Sequence, residues 1–229
     1  VVPGSEVPEV SKPEWDTKLN IGLNISQGNT EQVGFASTVV SSRKTEKTEL
    51  FLDAGYFYAS EDGDDTENQF TAGVLHDWLL PNSNWLVFAD ARYDYDDFAS
   101  YLHRVSTHAG VGYELFDKED FELTLRAGAG ASREFGSDND DITPEALLGF
   151  DLRWDIAENQ GFEVSHRTFP SLSDGGEFRT FTTAAWNLAI DKDDGLSFTV
   201  SAIHEYLSEV DAGTENNDLK IFAGLAYDF

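Results

Sequence analysis

Six arginines, Arg92, Arg104, Arg126, Arg153, Arg167 and Arg179, recur through the middle of this chain inside stretches where every second residue is polar. The same parity carries Asp53, Asp90, Asp94, Asp151, Glu122 and Glu163, with Asp77, Asp155 and Glu114 among them. Guanidinium and carboxylate at such spacing form charge-assisted, forked hydrogen bonds. Lining a passage, they would make an eyelet that selects small polar solutes. Filling an interior, they would be a neutralising ladder, and the spacing leaves both readings open. Ser106 and His108 also share a face, and a hydrolytic nucleophile would need such a base plus an orienting acid or amide. The histidines His76, His103, His108, His166 and His204 are scattered over four segments, with His103 and His108 on one, and lack the spacing of metal ligands. Phosphate loops, HExxH helices and nucleophile elbows do not occur. No catalytic residue, metal or cofactor is therefore assigned.

Composition narrows what can position these charges. The chain has 229 residues and a net charge of -28, but its 13% aromatic content argues against disorder. No run of about 18 apolar residues exists, which excludes a helical span. A transmembrane β-barrel is not excluded, because its apolar residues are only every second one. Cysteine is absent, so no disulfide frame or thiolate site forms. The strong acidity disfavours nucleic acid as a partner. The acidic loops 61–67, 138–141 and 209–218 suit a solvated surface, with weak divalent cations as the other expectation. Asp62-Gly63-Asp64-Asp65 lacks the spaced ligands of a calcium loop.

Residues 1–14, with Pro3, Pro8 and Pro13, read as a flexible tail before a domain spanning 15–229. That domain divides into about twelve alternating segments: 15–26, 31–41, 48–60, 67–80, 85–96, 101–116, 121–134, 143–157, 161–172, 177–191, 196–209 and 218–229. Pro170 makes the ninth the least regular. The rhythm predicts an all-β, up-and-down antiparallel transmembrane barrel. About 12 residues at roughly 3.3 Å, tilted about 40°, rise close to 30 Å and span an outer membrane. Twelve strands give a backbone diameter of roughly 24 Å, a slim passage once side chains enter. Gly110, Gly112, Gly128, Gly130 and Gly149 share the inward parity and would leave room for the arginines opposite.

An even strand number puts both termini on one side, the periplasm. Trp15, Trp78, Trp85, Trp154 and Trp186 fall toward that end, while Tyr56, Tyr58, Tyr93, Tyr95, Tyr101 and Tyr206 fall toward the other. Two aromatic girdles around an apolar band follow. Lys44, Lys47, Lys118 and Lys192 all lie at turns on the terminal side.

The closing stretch Leu225-Ala226-Tyr227-Asp228-Phe229 alternates and stops on an aromatic residue. In this it resembles the last strand of bacterial outer-membrane barrels, which implies that Tyr227 and Phe229 are the signal read by the barrel-assembly machinery. Three further stretches extend the likeness: Trp15 to Ile25 running into Ser26-Gln27-Gly28-Asn29-Thr30, Ala109-Gly110-Val111-Gly112-Tyr113, and Arg126-Ala127-Gly128-Ala129-Gly130. Together the chain resembles a family of salt-induced outer-membrane proteins of unknown function. The resemblance implies a single barrel in a Gram-negative outer membrane, in contact with lipid and lipopolysaccharide, and supplies no catalytic residues. The expected role is a narrow passive pore or a structural envelope protein with a charge-filled lumen. The rivals are a barrel-embedded hydrolase of lipid or surface glycan, and a soluble β-sandwich binding module.

Overall fold

The computed structural model describes residues 15–26, 32–137, 141–191, 194–210 and 215–229. The expected tail, the Gly28-Asn29 turn, Lys192 and parts of two acidic loops lie outside the described residues.

Alternation at period two produces twelve strands. They are β1 (Asp16–Ser26), β2 (Gln32–Lys44), β3 (Thr48–Glu61), β4 (Asp64–Leu79), β5 (Trp85–Asp96), β6 (His103–Lys118), β7 (Phe121–Phe135), β8 (Ile142–Ala157), β9 (Gln160–Pro170), β10 (Phe178–Asp191), β11 (Leu196–Leu207) and β12 (Asn217–Asp228). Each pairs antiparallel with its sequence neighbours, and β1 pairs with β12, so the sheet closes into a barrel with no edge strand.

The apolar parity faces outward. Leu23, Ile221 and Leu148 are 66%, 67% and 54% exposed, whereas Arg104 and Arg126 are 4% and 6% exposed. A soluble sandwich would bury the first set in a dry core and leave the arginines in water. The observed sides are reversed, which removes that alternative and makes the fold that of a transmembrane barrel.

Several boundaries differ from expectation for identifiable reasons. The acidic stretch from Glu61 to Glu67 is not a long loop: Asp62 and Gly63, at φ of 51° and 91°, make a two-residue turn, and β4 begins at Asp64. Such turns match strand twist and let a hairpin run to its tip. Pro170 is the last residue of β9, where the amide hydrogen it lacks is dispensable. Register shifts at Glu114/Phe116, Asp155/Ala157 and Ala189/Asp191 each add one residue, and Leu115, Ile156 and Ile190 at these bulges are exposed. All three lie at the terminal end of the barrel, where they enlarge the apolar rim. Gly195 closes that end at φ 68°, and a Cβ there would sit 2.4 Å from the carbonyl oxygen of Asp228.

Candidate functional site

The interior of the barrel is built from the polar parity, and it is laced together across its width. Arg126 on β7 reaches β4, where its two terminal nitrogens donate to the two oxygens of Asp77 at 2.7 and 2.6 Å. Its Nε donates to Asp151 on β8 at 2.7 Å. Asp151 also takes Arg167 of β9 at 2.8 Å on each oxygen. Arg104 on β6 donates to Glu134 on β7 and, across the lumen, to Glu205 on β11 at 2.8 Å. Arg92 on β5 donates to Asp94 at 2.8 Å and lies 3.9 Å from Asp53.

His108 stands between two carboxylates, Asp90 at 3.0 Å from Nδ1 and Glu145 at 3.3 Å from Nε2. Glu145 in turn receives Arg179 at 3.0 and 2.9 Å. With both ring nitrogens engaged by acids, His108 has none left to activate a hydroxyl, and Ser106 does not pair with it. The serine–histidine–acid arrangement that a hydrolase would need is thus not assembled at this pair.

Arg153 and Glu163 face each other in register near the terminal mouth. Arg153 is half-exposed, 3.5 Å from Glu122 and 3.1 Å from Asp155. Ion pairs in that setting are worth about 0–1 kcal/mol. Breaking one side of a buried pair such as Arg126–Asp77 costs about 3–5 kcal/mol, because a desolvated charge is left alone.

Sequence reading missed the aromatic half of this interior. Arg92 lies over Phe181 at 4.3 Å, Arg104 over Tyr101 at 4.0 Å, Arg126 over Phe88 at 5.2 Å and Arg179 over Phe169 at 3.9 Å. A ring face attracts the cation while the carboxylate holds its edge. Leu86, Phe88, Leu147 and Phe169 form a buried cluster on the wall from β5 to β9. The signal was present, since Leu86 and Phe88 share parity with Asp90, but charges on that parity masked it. Tyr101, expected in the outer girdle, instead folds inward from the β5–β6 loop and is 5% exposed. Burial pushes its phenol pKa up, and Glu205, Asp94 and Asp96 add to this while Arg104 opposes it.

The inward glycines correct a second expectation. Gly149 does lie under Arg167, but Gly112 lies under Leu86, Gly128 under Phe88 and Gly130 against His108. Space there serves apolar packing more than arginine.

Opposite the filled wall, the sector from β1 to β3 is looser. Val40 and Asp53 pair in register facing inward, yet Val40 is 42% exposed and the Asp53 side chain 46%. Toward the end opposite the termini this sector narrows at the ring pair Phe57 and Phe222, 5.9 Å apart. A separate cavity of about 550 Å³ lies at the terminal mouth on the side of β8 to β12, lined by Asp120, Asp155, Asn187, Ser197 and Asp228 among others, with Lys18 as its contribution from β1. Carboxylates outnumber cations along the interior, so its field is net negative. Among the described residues, no three acidic or histidine side chains converge as a metal ion would require.

On the outside, Trp15, Trp78, Trp85 and Trp154 are 44–50% exposed at the terminal end, and Trp186 is half-buried on the same side. At the other end the hydroxyls of Tyr58 and Tyr95 donate to Asp65 and Asp97 at 2.6 Å, and Tyr56 to Asn68 at 3.3 Å. Tyr93 pairs with His103, and Tyr206 stacks near Phe178. Tyr227 and Phe229 are exposed, with rings 5.9 Å apart.

A family profile described as "Protein of unknown function, DUF481" matches residues 19–229. No curated protein matches the chain. Among solved structures, the NanC porin is similar at a TM-score of 0.52 and 12% identity, covering 93% of this chain and 98% of that one. An outer-membrane channel described as COG4313, from Pseudomonas putida F1, is similar at 0.52 and 9%, covering 100% of both. At such identities the likeness is one of fold.

Proposed function

This chain belongs to the DUF481 family of proteins of unknown function, and on that premise we propose that it is a narrow passive channel through the outer membrane for small polar solutes. The observation that carries the proposal is the half-exposed inward pair Val40 and Asp53, opposite a solid wall. A lumen meant only as a plug would bury them. With acids in excess along the interior, the channel prefers cations and neutral solutes over anions.

In this reading the termini face the periplasm, the apolar belt contacts lipid and lipopolysaccharide, and Tyr227 with Phe229 engages the assembly machinery. Weak divalent cations at the acidic outer turns and a salt-linked role belong to the same proposal, supported by the net charge of -28.

The cross-lumen bridges of Arg126 and Arg104 favour a second reading, a structural barrel whose charges only fill it. Planar bilayers separate the two. Discrete current steps, with a reversal potential of cation-preferring sign in a salt gradient, support the channel. No step above bare lipid from correctly folded protein overturns it in favour of the structural role.

A further inference from the structure

The seam between β1 and β12 is paired from Lys18↔Asp228 to Gly22↔Gly224 and, among the described residues, no further. Beyond Gly224 the far half of β12 is bonded, among the described residues, to β11 alone, through pairs such as Phe222↔Ser201 and Lys220↔Ile203. What faces the lumen from this half-paired segment is Phe222 and Lys220. Phe222 meets Phe57 of β3. Lys220 crosses to β4: its ammonium donates to the amide oxygen of Gln69, lies 3.1 Å from Glu67, and donates to Asp218 at 2.9 Å. It also lies 5.9 Å from the centre of the Phe57 ring. Gln69 passes the contact on by donating to Asp96 of β5.

We propose that Lys220 is a tethered cation that latches the far half of β12 across the lumen, in a seat that also accepts a small primary alkylammonium ion. The seat has the chemistry of an amine site: oxygen acceptors from two walls arranged to receive ammonium hydrogens, and an aromatic ring alongside. A metal ion would want more oxygens in a closed shell. Among the inward cations at mid and outer height, Lys220 stands where the others are arginines. An ammonium is a point charge with rotatable donors, whereas a guanidinium is held by a fixed fork. The Lys220 contact is therefore the one most readily exchanged for a mobile ion. Its position above Phe57 and Phe222 puts it at the narrow end of the loose sector, so its role as a closure rests on the channel reading above. The seat itself does not.

The test uses the folded barrel in detergent and in planar bilayers, with Lys220→Ala and Lys220→Met against wild type. Lys220→Met keeps most of the side-chain bulk and loses only the charge, so it is the control for packing beside Lys220→Ala, which empties the seat. n-Propylammonium should raise the denaturation midpoint of Lys220→Ala saturably at millimolar concentration. It should leave wild type unmoved, and tetramethylammonium, which has no N–H, should not substitute for it. In bilayers, Lys220→Ala should conduct about twofold more than wild type or better, as removing a side chain widens a constriction. n-Propylammonium should return that conductance toward the wild-type value. A denaturation midpoint indifferent to n-propylammonium in both variants overturns the proposal, whatever the currents do. A saturable midpoint shift without current from any form supports the cation seat and removes the channel reading instead.

Discussion

Arg126 and Asp77 face one another across the barrel through two parallel N–H···O bonds of 2.7 and 2.6 Å, although 49 residues separate them in the chain. Both side chains are nearly inaccessible, and Arg126 has Asp151 as a second acceptor. Asp77→Asn removes half of a buried ion pair and should lower stability by about 3–5 kcal/mol. Asp77→Leu with Arg126→Met, which removes both charges, should recover part of that loss. Urea unfolding followed by heat-dependent gel mobility measures it. Equal midpoints for Asp77→Asn and wild type would mean that the fork carries no folding energy.

The outward parity was legible because lipid demands an unbroken greasy face, and Trp85 to Tyr95 or Leu219 to Phe229 supply one without exceptions. The inward parity was legible only as polar. Phe88, Phe169 and Phe181 sit there between charges, and pattern alone does not distinguish a ring over a guanidinium from noise. Which arginine meets which acid depends on barrel closure and strand stagger. Nothing local in the sequence brings Arg104 to Glu205, 101 residues away. Tyr101 was misplaced because it belongs to a loop, where period two assigns no side.

Opposite faces of the wall should tolerate charge differently. Leu148, near the middle of β8, points out and is 54% exposed. Leu148→Arg should cost about 2–4 kcal/mol in liposomes, the range for arginine on a barrel's lipid face near the bilayer midplane. Val40→Arg, on the loose inward sector, should cost far less. Reversible unfolding in lipid vesicles reads both, and equal penalties would contradict the assignment of sides.

Asp53 is the half-exposed carboxylate of the loose sector, 3.9 Å from Arg92. If ions pass there, Asp53→Asn should shift the reversal potential in a potassium chloride gradient toward zero, with little change in stability. Glu163→Gln, at the exposed terminal mouth, should shift it less. A reversal potential unaffected by Asp53→Asn would place the ion path elsewhere.

Gly195 combines a left-handed φ of 68° with a close approach to the Asp228 carbonyl, and the Asp228 amide donates to the Gly195 oxygen at 2.9 Å. Gly195→Ala strains the backbone and drives a methyl into that carbonyl, at about 1–3 kcal/mol. Because Asp228 also begins the seam with Lys18, the loss should appear as slower closure of β12 on β1. Refolding kinetics into detergent micelles measure it, against Gly175→Ala as control, where a Cβ meets nothing within 4 Å.

Two segments at the end opposite the termini carry a pH response. Glu177, before β10, hydrogen-bonds with Glu209, after β11, and this sharing raises the Glu177 pKa, with slight burial and the charges of Glu209 and Asp174 adding to it. A carboxyl can donate to a carboxylate only while it holds the proton. A pKa raised in the folded state means that the contact is present at low pH and is lost as pH climbs through the raised value. The neighbouring backbone bond from the Ser208 amide to the Phe178 carbonyl, at 2.9 Å, does not titrate and keeps the two segments close enough to re-form the contact. Spin labels at Gly175→Cys and Val210→Cys should therefore report a shorter, narrower distance distribution at pH 4 than at pH 7. Glu177→Gln, which donates at any pH, should hold the short distance throughout. A distribution that is unchanged by pH in the wild-type background would show that the two carboxyls do not share a proton.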